Sequence, residues 1–228
     1  RDYNSRVEKP GGTQNGADPS IAITDNKKVV EVHKAEGSIN DNLWYSVGTV
    51  GNDGYVTWHT NERINPGGSN KNGVQPNMTL SKVDSTYPVI QVNKTNGFGS
   101  GLWCNFGRLD VNNNTVIWDT NIRISVGGNN TDGDWPHVAA DGNKVVMVYL
   151  NGGDLRYNTG EINLTNKRVD WKYNGSVNGQ SGDKPSLAFK DGKVIVTYRN
   201  SILRYTAGTL NSNWTITWHE NGDIDEQD

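Results

Sequence analysis

Three Asn-x-Arg pairs, Asn4/Arg6, Asn61/Arg63 and Asn121/Arg123, punctuate the earlier part of a 228-residue chain. Asparagine and arginine each present paired hydrogen-bonding groups in one plane, which suits recognition of hydroxyls. Trp44 and Trp103 hold matching positions in the same half of the chain, and Trp58 and Trp118 stand just before Asn61 and Asn121. Aromatic faces pack on the C–H surfaces of sugars. The candidate ligand-binding set is therefore Trp44, Trp58, Trp103 and Trp118 with Asn61, Arg63, Asn121 and Arg123. Catalysis would need an asymmetric set of acid, base or nucleophile, and none stands out. His59 and His219 occupy one repeated slot, no histidine or cysteine spacing suggests zinc, and the strand-borne acids Glu31, Asp110, Glu161 and Asp170 fall at different places. The expectation is a non-enzyme with no metal and no cofactor.

These residues sit in a unit that recurs four times. "LWYSVG" (from Leu43) returns as "LWCNFG" (from Leu102), "LRYNTG" (from Leu155) and "LRYTAG" (from Leu203). Each is followed by a run ending in tryptophan, at Trp58, Trp118, Trp171 and Trp218. Upstream lie "GADPSIAI", "GVQPNMTL", "GDWPHVAA" and "GDKPSLAF", then "KVVEVHK", "PVIQVNK", "KVVMVYL" and "KVIVTYR". All four elements read as strands: alternating or β-branched residues bounded by Gly, Asn, Asp and Pro. No stretch sustains helical periodicity. Four short strands, repeated, are the mark of a propeller blade. The expected fold is a single all-β domain over 1–228, a β-propeller of four four-stranded blades, with repeats at about 14–61, 73–121, 133–174 and 182–221. The chain begins "RDYNSRVEKPGG", where the Asn4/Arg6 pair aligns with the exit of an outer strand, so four whole units fit a closed ring. An arc closed by oligomerisation is the alternative.

Composition narrows the partners. A net charge of −3 and the lack of Lys/Arg runs argue against nucleic acid and anionic membranes. No apolar run reaches the ~18 residues of a membrane span. Cys104 takes a slot held elsewhere by Tyr45, Tyr157 and Tyr205, so it reads as a small apolar filler. Asn-x-Ser/Thr sequons at Asn77, Asn93, Asn113, Asn129, Asn163, Asn174 and Asn213 point to a secreted, extracellular protein.

The blocks "G-x-x-P-S-x-A", "VVEVH", "LWYSVG" and "VTW" resemble the repeat of the PLL-type bacterial β-propeller lectins, once per repeat and most clearly over Gly16–Trp58. The resemblance implies a secreted lectin that binds fucose-like or other glycans between blades. It extends the site class to Trp44, Trp103 and the Asn-x-Arg pairs. The expected function is multivalent, weak binding of glycans or glycoproteins, in the manner of a receptor-binding module of a toxin or adhesin, with room for oligomerisation. The alternatives are a propeller-type glycoside hydrolase and a hemopexin-like protein-binding scaffold.

Overall fold

A computed structural model describes residues 8–9, 12–13, 16–35, 41–69, 71–95 and 101–224. Asn4 and Arg6 lie outside the described residues. The strands in chain order begin with a two-stranded hairpin, β1 (Glu8–Lys9) and β2 (Gly12–Thr13). Blade 1 follows as β3 (Gly16–Ile23), β4 (Lys28–Ala35), β5 (Leu43–Val50) and β6 (Val56–Arg63). Blade 2 is β7 (Val74–Leu80), β8 (Pro88–Lys94), β9 (Leu102–Asp110) and β10 (Thr115–Arg123), and a second hairpin, β11 (Ser125–Val126) with β12 (Asn129–Asn130), leaves it. Blade 3 is β13 (Asp134–Asp141), β14 (Lys144–Asn151), β15 (Asp154–Asn163) and β16 (Arg168–Ser181). Blade 4 is β17 (Asp183–Lys190), β18 (Lys193–Asn200), β19 (Ile202–Leu210) and β20 (Ile216–Asp223). Each blade is an antiparallel meander whose strand order is its chain order. The all-β propeller of four four-stranded blades expected from the repeats is present.

Strand alternation sorts each blade into two faces. In β4 and β5, Val30, Val32, Leu43, Tyr45 and Val47 point to one side and pack on Met78, Val89, Leu109, Val116 and Trp118 of blade 2. The same slots repeat at the next seam, where Ile90, Val92, Leu102 and Cys104 meet Val138, Val145, Met147 and Val169. They repeat again where Val146, Val148, Leu155 and Tyr157 meet Leu187, Val194, Val196 and Ile216. Burial on both faces explains runs such as "KVVMVYL", which are apolar without a gap. The tryptophans lock two seams by edge-to-face contacts with the preceding blade. Trp118 meets Tyr45 at 5.5 Å and 78°, and Trp218 meets Tyr157 at 5.6 Å and 77°. Glycine ends the Leu-x-x block because the indole lies on it. A Cβ at Gly107 would stand 2.9 Å from Trp118, and one at Gly208 2.8 Å from Trp218.

Four blades make three such seams. The inner strands pack in the order β3, β7, β13, β17, and no comparable packing joins β17 back to β3 among the described residues. The slots at that open edge are exposed, including Ile21 and Ile23 on blade 1 and Ile195 and Leu203 on blade 4.

Cys104 is buried in the second seam, and burial pushes its thiol up to about 12. A buried thiol held protonated is inert. Native protein is therefore expected to give no reaction with an aromatic disulfide reagent at pH 8, and one thiol after denaturation. Rapid native labelling would mean that this seam opens.

Candidate functional site

The four inner strands carry one irregularity in common. Each has a register shift against its neighbour at the same place, between Ala17 and Ser20, Val74 and Asn77, Asp134 and His137, and Asp183 and Ser186. At each shift the residue before proline has a positive φ: Asp18 at 51°, Gln75 at 54°, Trp135 at 51° and Lys184 at 46°. Non-glycine residues seldom adopt that conformation, and a following proline further restricts the backbone. Such strain is held only where the surroundings over-determine it, and it gathers at functional sites. The kinks carry Asp18, Gln75, Trp135 and Lys184 to one cavity of about 240 Å³ on the propeller axis, floored by Pro19, Pro76, Pro136 and Pro185.

The residues after the prolines bind the blades together around this cavity. The backbone N–H of Met78 donates to Ser20 Oγ at 3.1 Å, and Asn77 Nδ2 donates to the same oxygen at 3.2 Å. One blade on, the backbone N–H of Val138 donates to Asn77 Oδ1 at 2.8 Å. Gln75 Oε1 accepts the backbone N–H of Trp135 at 2.8 Å, and Lys184 Nζ lies 5.9 Å from the centroid of the Trp135 ring. The third slot of this lashing is His137, whose Nδ1 is buried with no hydrogen-bond partner.

Desolvation lowers the His137 pKa from 6.5 to about 4, so the ring is neutral at pH 7. In the unfolded chain it binds a proton near 6.5. Between those values the unfolded state holds more protons than the folded state, so this stability is full above pH 6.5 and lost as pH falls towards 4. The shift corresponds to about 3 kcal/mol. Urea unfolding of His137→Asn, which installs the residue of the equivalent blade 2 slot, is expected to lack that part of the loss between pH 7 and 4. An identical pH profile in both proteins would mean that His137 is solvated.

The residues singled out from sequence take other places. Trp44 and Arg63 are cross-strand partners on blade 1, as are Trp103 and Arg123 on blade 2, so each Trp does lie beside its Arg. The arginines are occupied by the loops between blades. Arg63 Nη2 donates to Asn42 and Asn72, and Arg123 pairs with Asp132 at 2.6 Å. Asn121 donates to Asn105 at 2.8 Å, and Asn105 donates to Gln91, forming a polar row inside the blade. Asn61 is buried at the matching position. Trp103 Nε1 donates to Thr95 Oγ1 at 3.1 Å. Trp118 is buried in a seam and offers no face to a ligand, whereas Trp58 is half-buried. As ligand-stacking or ligand-bonding groups Trp118 and Asn121 are thus corrected to structural ones, spent on packing and on the polar row, and Asn61 is buried inside its blade. The sequons at Asn77 and Asn93 are buried too.

A second cavity, of about 390 Å³, lies between the β11–β12 hairpin and blade 3, lined by Asp132, Tyr149, Arg156, Lys172, Tyr173 and Asn174 among others. Several of its groups bond one another: Arg156 donates to Asn174 at 2.8 Å, and Asn174 donates to Tyr149 and to Asn158. The axial cavity differs in holding four unlike groups at four equivalent positions. Sequence reading missed them because it sought repeated chemistry. The signal was present as the one column before each proline that reads Asp, Gln, Trp, Lys. Among the described residues no cluster of three or more His, Cys, Asp or Glu could hold a metal ion, and no helix is long and apolar enough to cross a membrane.

Four blades around a shared axis define a β-propeller. Among solved structures the chain is similar to an exo-beta-1,3-galactanase from Phanerochaete chrysosporium, determined with beta-1,3-galactotriose. The two are 8% identical with a TM-score of 0.61, over 96% of this chain and 52% of that one. It is also similar to a glycoside hydrolase family 43 arabinoxylan arabinofuranohydrolase from Bacillus subtilis, 11% identical with a TM-score of 0.56, over 91% of this chain and 52% of that one. A third is an alpha-L-arabinofuranosidase from Clostridium thermocellum, 12% identical with a TM-score of 0.53, over 89% and 71%. The chain thus spans about half the length of the first two, and at such identities the likeness is one of fold. No protein-family model matches the sequence, and no curated protein matches it. These findings correct two expectations, that of a lectin and that of a non-enzyme. The structures named are glycosidases, and the search for repeated ligand groups had passed over a column in which all four copies differ.

Proposed function

We propose that the chain is the propeller of a glycoside hydrolase, with a glycosyl unit seated in the axial cavity. The observation that carries the reading is the convergence of Asp18, Gln75, Trp135 and Lys184 on one hub from four equivalent, kinked positions. The glycosidase structures that share the fold support it. In this reading Trp135 packs on the sugar ring, Gln75 and Lys184 bond its hydroxyls, and Asp18 is the carboxylate at the scissile bond. Hydrolysis by the common route takes two carboxylates. Asp134 and Asp183 stand next to the axial residues but are engaged by Lys94 and Arg199. Glu31 of blade 1 is a third acid nearby, but it does not line the axial cavity and its oxygens are engaged by His33. The kink at Asp18 and Pro19 lies opposite His33, and Glu31 is two residues along the same strand, about 7 Å. Glu31 is buried with both oxygens 3.0 Å from His33 Nδ1. A polymeric glycan as substrate carries with it secretion of the protein.

The test is turnover of chromogenic galactosides, arabinofuranosides and xylosides, together with the matching oligosaccharides. Release of aglycone or monosaccharide, with oligosaccharide binding that Trp135→Ala removes, is the expected result. No turnover across the panel and no oligosaccharide binding at millimolar concentration would sink the reading.

A further inference from the structure

We propose that the cavity between the β11–β12 hairpin and blade 3 is a binding site for a small carboxylate ligand. It shares no lining residue with the axial cavity, and the reading does not depend on catalysis there.

Strand register allows the blades to be compared position by position. Near the start of the third strand in each blade, one residue faces a residue of the fourth. The pairs are Trp44 with Arg63, Trp103 with Arg123, Arg156 with Ser176, and Arg204 with Asp223. In blades 1 and 2 a tryptophan takes the third-strand position, and the arginine across from it is engaged by loop residues. In blades 3 and 4 the arginine stands on the third strand instead. Blade 4 supplies its counter-ion, with Arg204 Nε 3.2 Å from Asp223 Oδ1. Blade 3 has serine at that position. Arg156 donates to Asn174 and pairs with no carboxylate among the described residues. Beside this unmatched arginine lies a cavity of about 390 Å³.

The charge around the cavity is cationic in excess. Asp132 is the one acid that lines it, and Arg123 holds that carboxylate at 2.6 Å. Lys172 lines the cavity as well and pairs with no carboxylate among the described residues. Asp170, the acid on its strand, is taken by Arg168 at 2.6 Å and by Asn163 at 2.8 Å. Two cations in one concave site repel each other, and an anion between them turns that cost into a gain.

The neutral groups suit the same ligand. A guanidinium receives a carboxylate through two parallel hydrogen bonds. The hydrogen bond to Asn174 already orients the Arg156 guanidinium. The Tyr149 hydroxyl accepts from Asn174 and keeps its own proton to donate. Asn129, Asn130 and Asn151 add amides that match hydroxyls. The class is therefore a carboxylate that also carries hydroxyl groups. A uronic acid and a free hydroxy acid such as citrate share this chemistry.

The experiment is isothermal titration calorimetry of the full chain at pH 7 with D-glucuronate and with citrate. D-glucose and inorganic phosphate serve as controls. At least one of the two carboxylates is expected to bind at one equivalent with a roughly millimolar Kd, and both controls at least about tenfold more weakly. Glucuronate without citrate would assign an acidic sugar, and citrate without glucuronate a free hydroxy acid. Arg156→Ala should weaken binding about ten- to hundredfold. Ser176→Asp places a carboxylate where blade 4 has one, and it should block the ligand without lowering the melting temperature. Trp135→Ala, at the hub, should leave binding unchanged. The proposal is overturned if neither carboxylate binds at tens of millimolar, or if glucose or phosphate binds as tightly. It is overturned equally if Ser176→Asp leaves binding intact or Trp135→Ala removes it. None of these readouts measures turnover, so the outcome is independent of the catalytic test.

Discussion

Replacing Trp118 with alanine is expected to lower the unfolding free energy by about 3–5 kcal/mol. For a domain of this size that is a fall of roughly 10 °C in melting temperature. Trp118 is 7% exposed, sits edge-on to Tyr45 of the preceding blade and covers Gly107. Alanine would leave an indole-sized void between two sheets that cannot close on it. One term works the other way: the indole N–H of Trp118 is buried without a partner, and its removal relieves that cost. The control is Trp58, the same slot of the unit in blade 1. It faces the open edge and is half-buried, so Trp58→Ala should cost about 1 kcal/mol or less. Thermal and urea unfolding of the two variants check both figures. Equal losses would mean that the open edge is packed like the others.

Asp18→Asn is expected to reduce kcat/KM on any glycoside the protein turns over by about 10²–10⁴-fold, the range for removal of a positioned acid or base. The fold should survive the change. Asp18 is held at a φ of 51°, a conformation that asparagine tolerates as well as aspartate does. Melting temperature should therefore stay within a degree or two while turnover falls. Full activity in Asp18→Asn would remove Asp18 from the chemistry and leave the axial cavity a binding site at most.

The blades were legible because their determinants repeat. Alternation in "KVVEVH" and "LWYSVG", the prolines before the inner strands and the glycine under each tryptophan are local properties, and four copies reinforce them. Which members of a column are buried was not legible, since Ile21 and Met78, or Trp58 and Trp118, differ by their place in the arc rather than by type. The Asn-x-Arg pairs misled for a related reason. The planar groups that suit a sugar also suit loop carbonyls and amide rows, and Asn121 and Arg123 are spent on Asn105 and Asp132. The axial set escaped notice because it occupies a column in which no two copies agree. A left-handed kink cannot be read from Asp, Gln, Trp and Lys, none of which is glycine.

The kinked positions before the four prolines have a bearing on how such a protein can change. Every hub residue is borne on its own blade by the same backbone shape, and Gln75 and Lys184 also touch Trp135, so Asp18 is the member that can be exchanged with the least effect on the other three. Moving the acid from one spoke to the next rotates the chemistry about the axis while the scaffold stays as it was. A new specificity is then a matter of re-dealing four side chains, and a library confined to residues 18, 75, 135 and 184 would sample it.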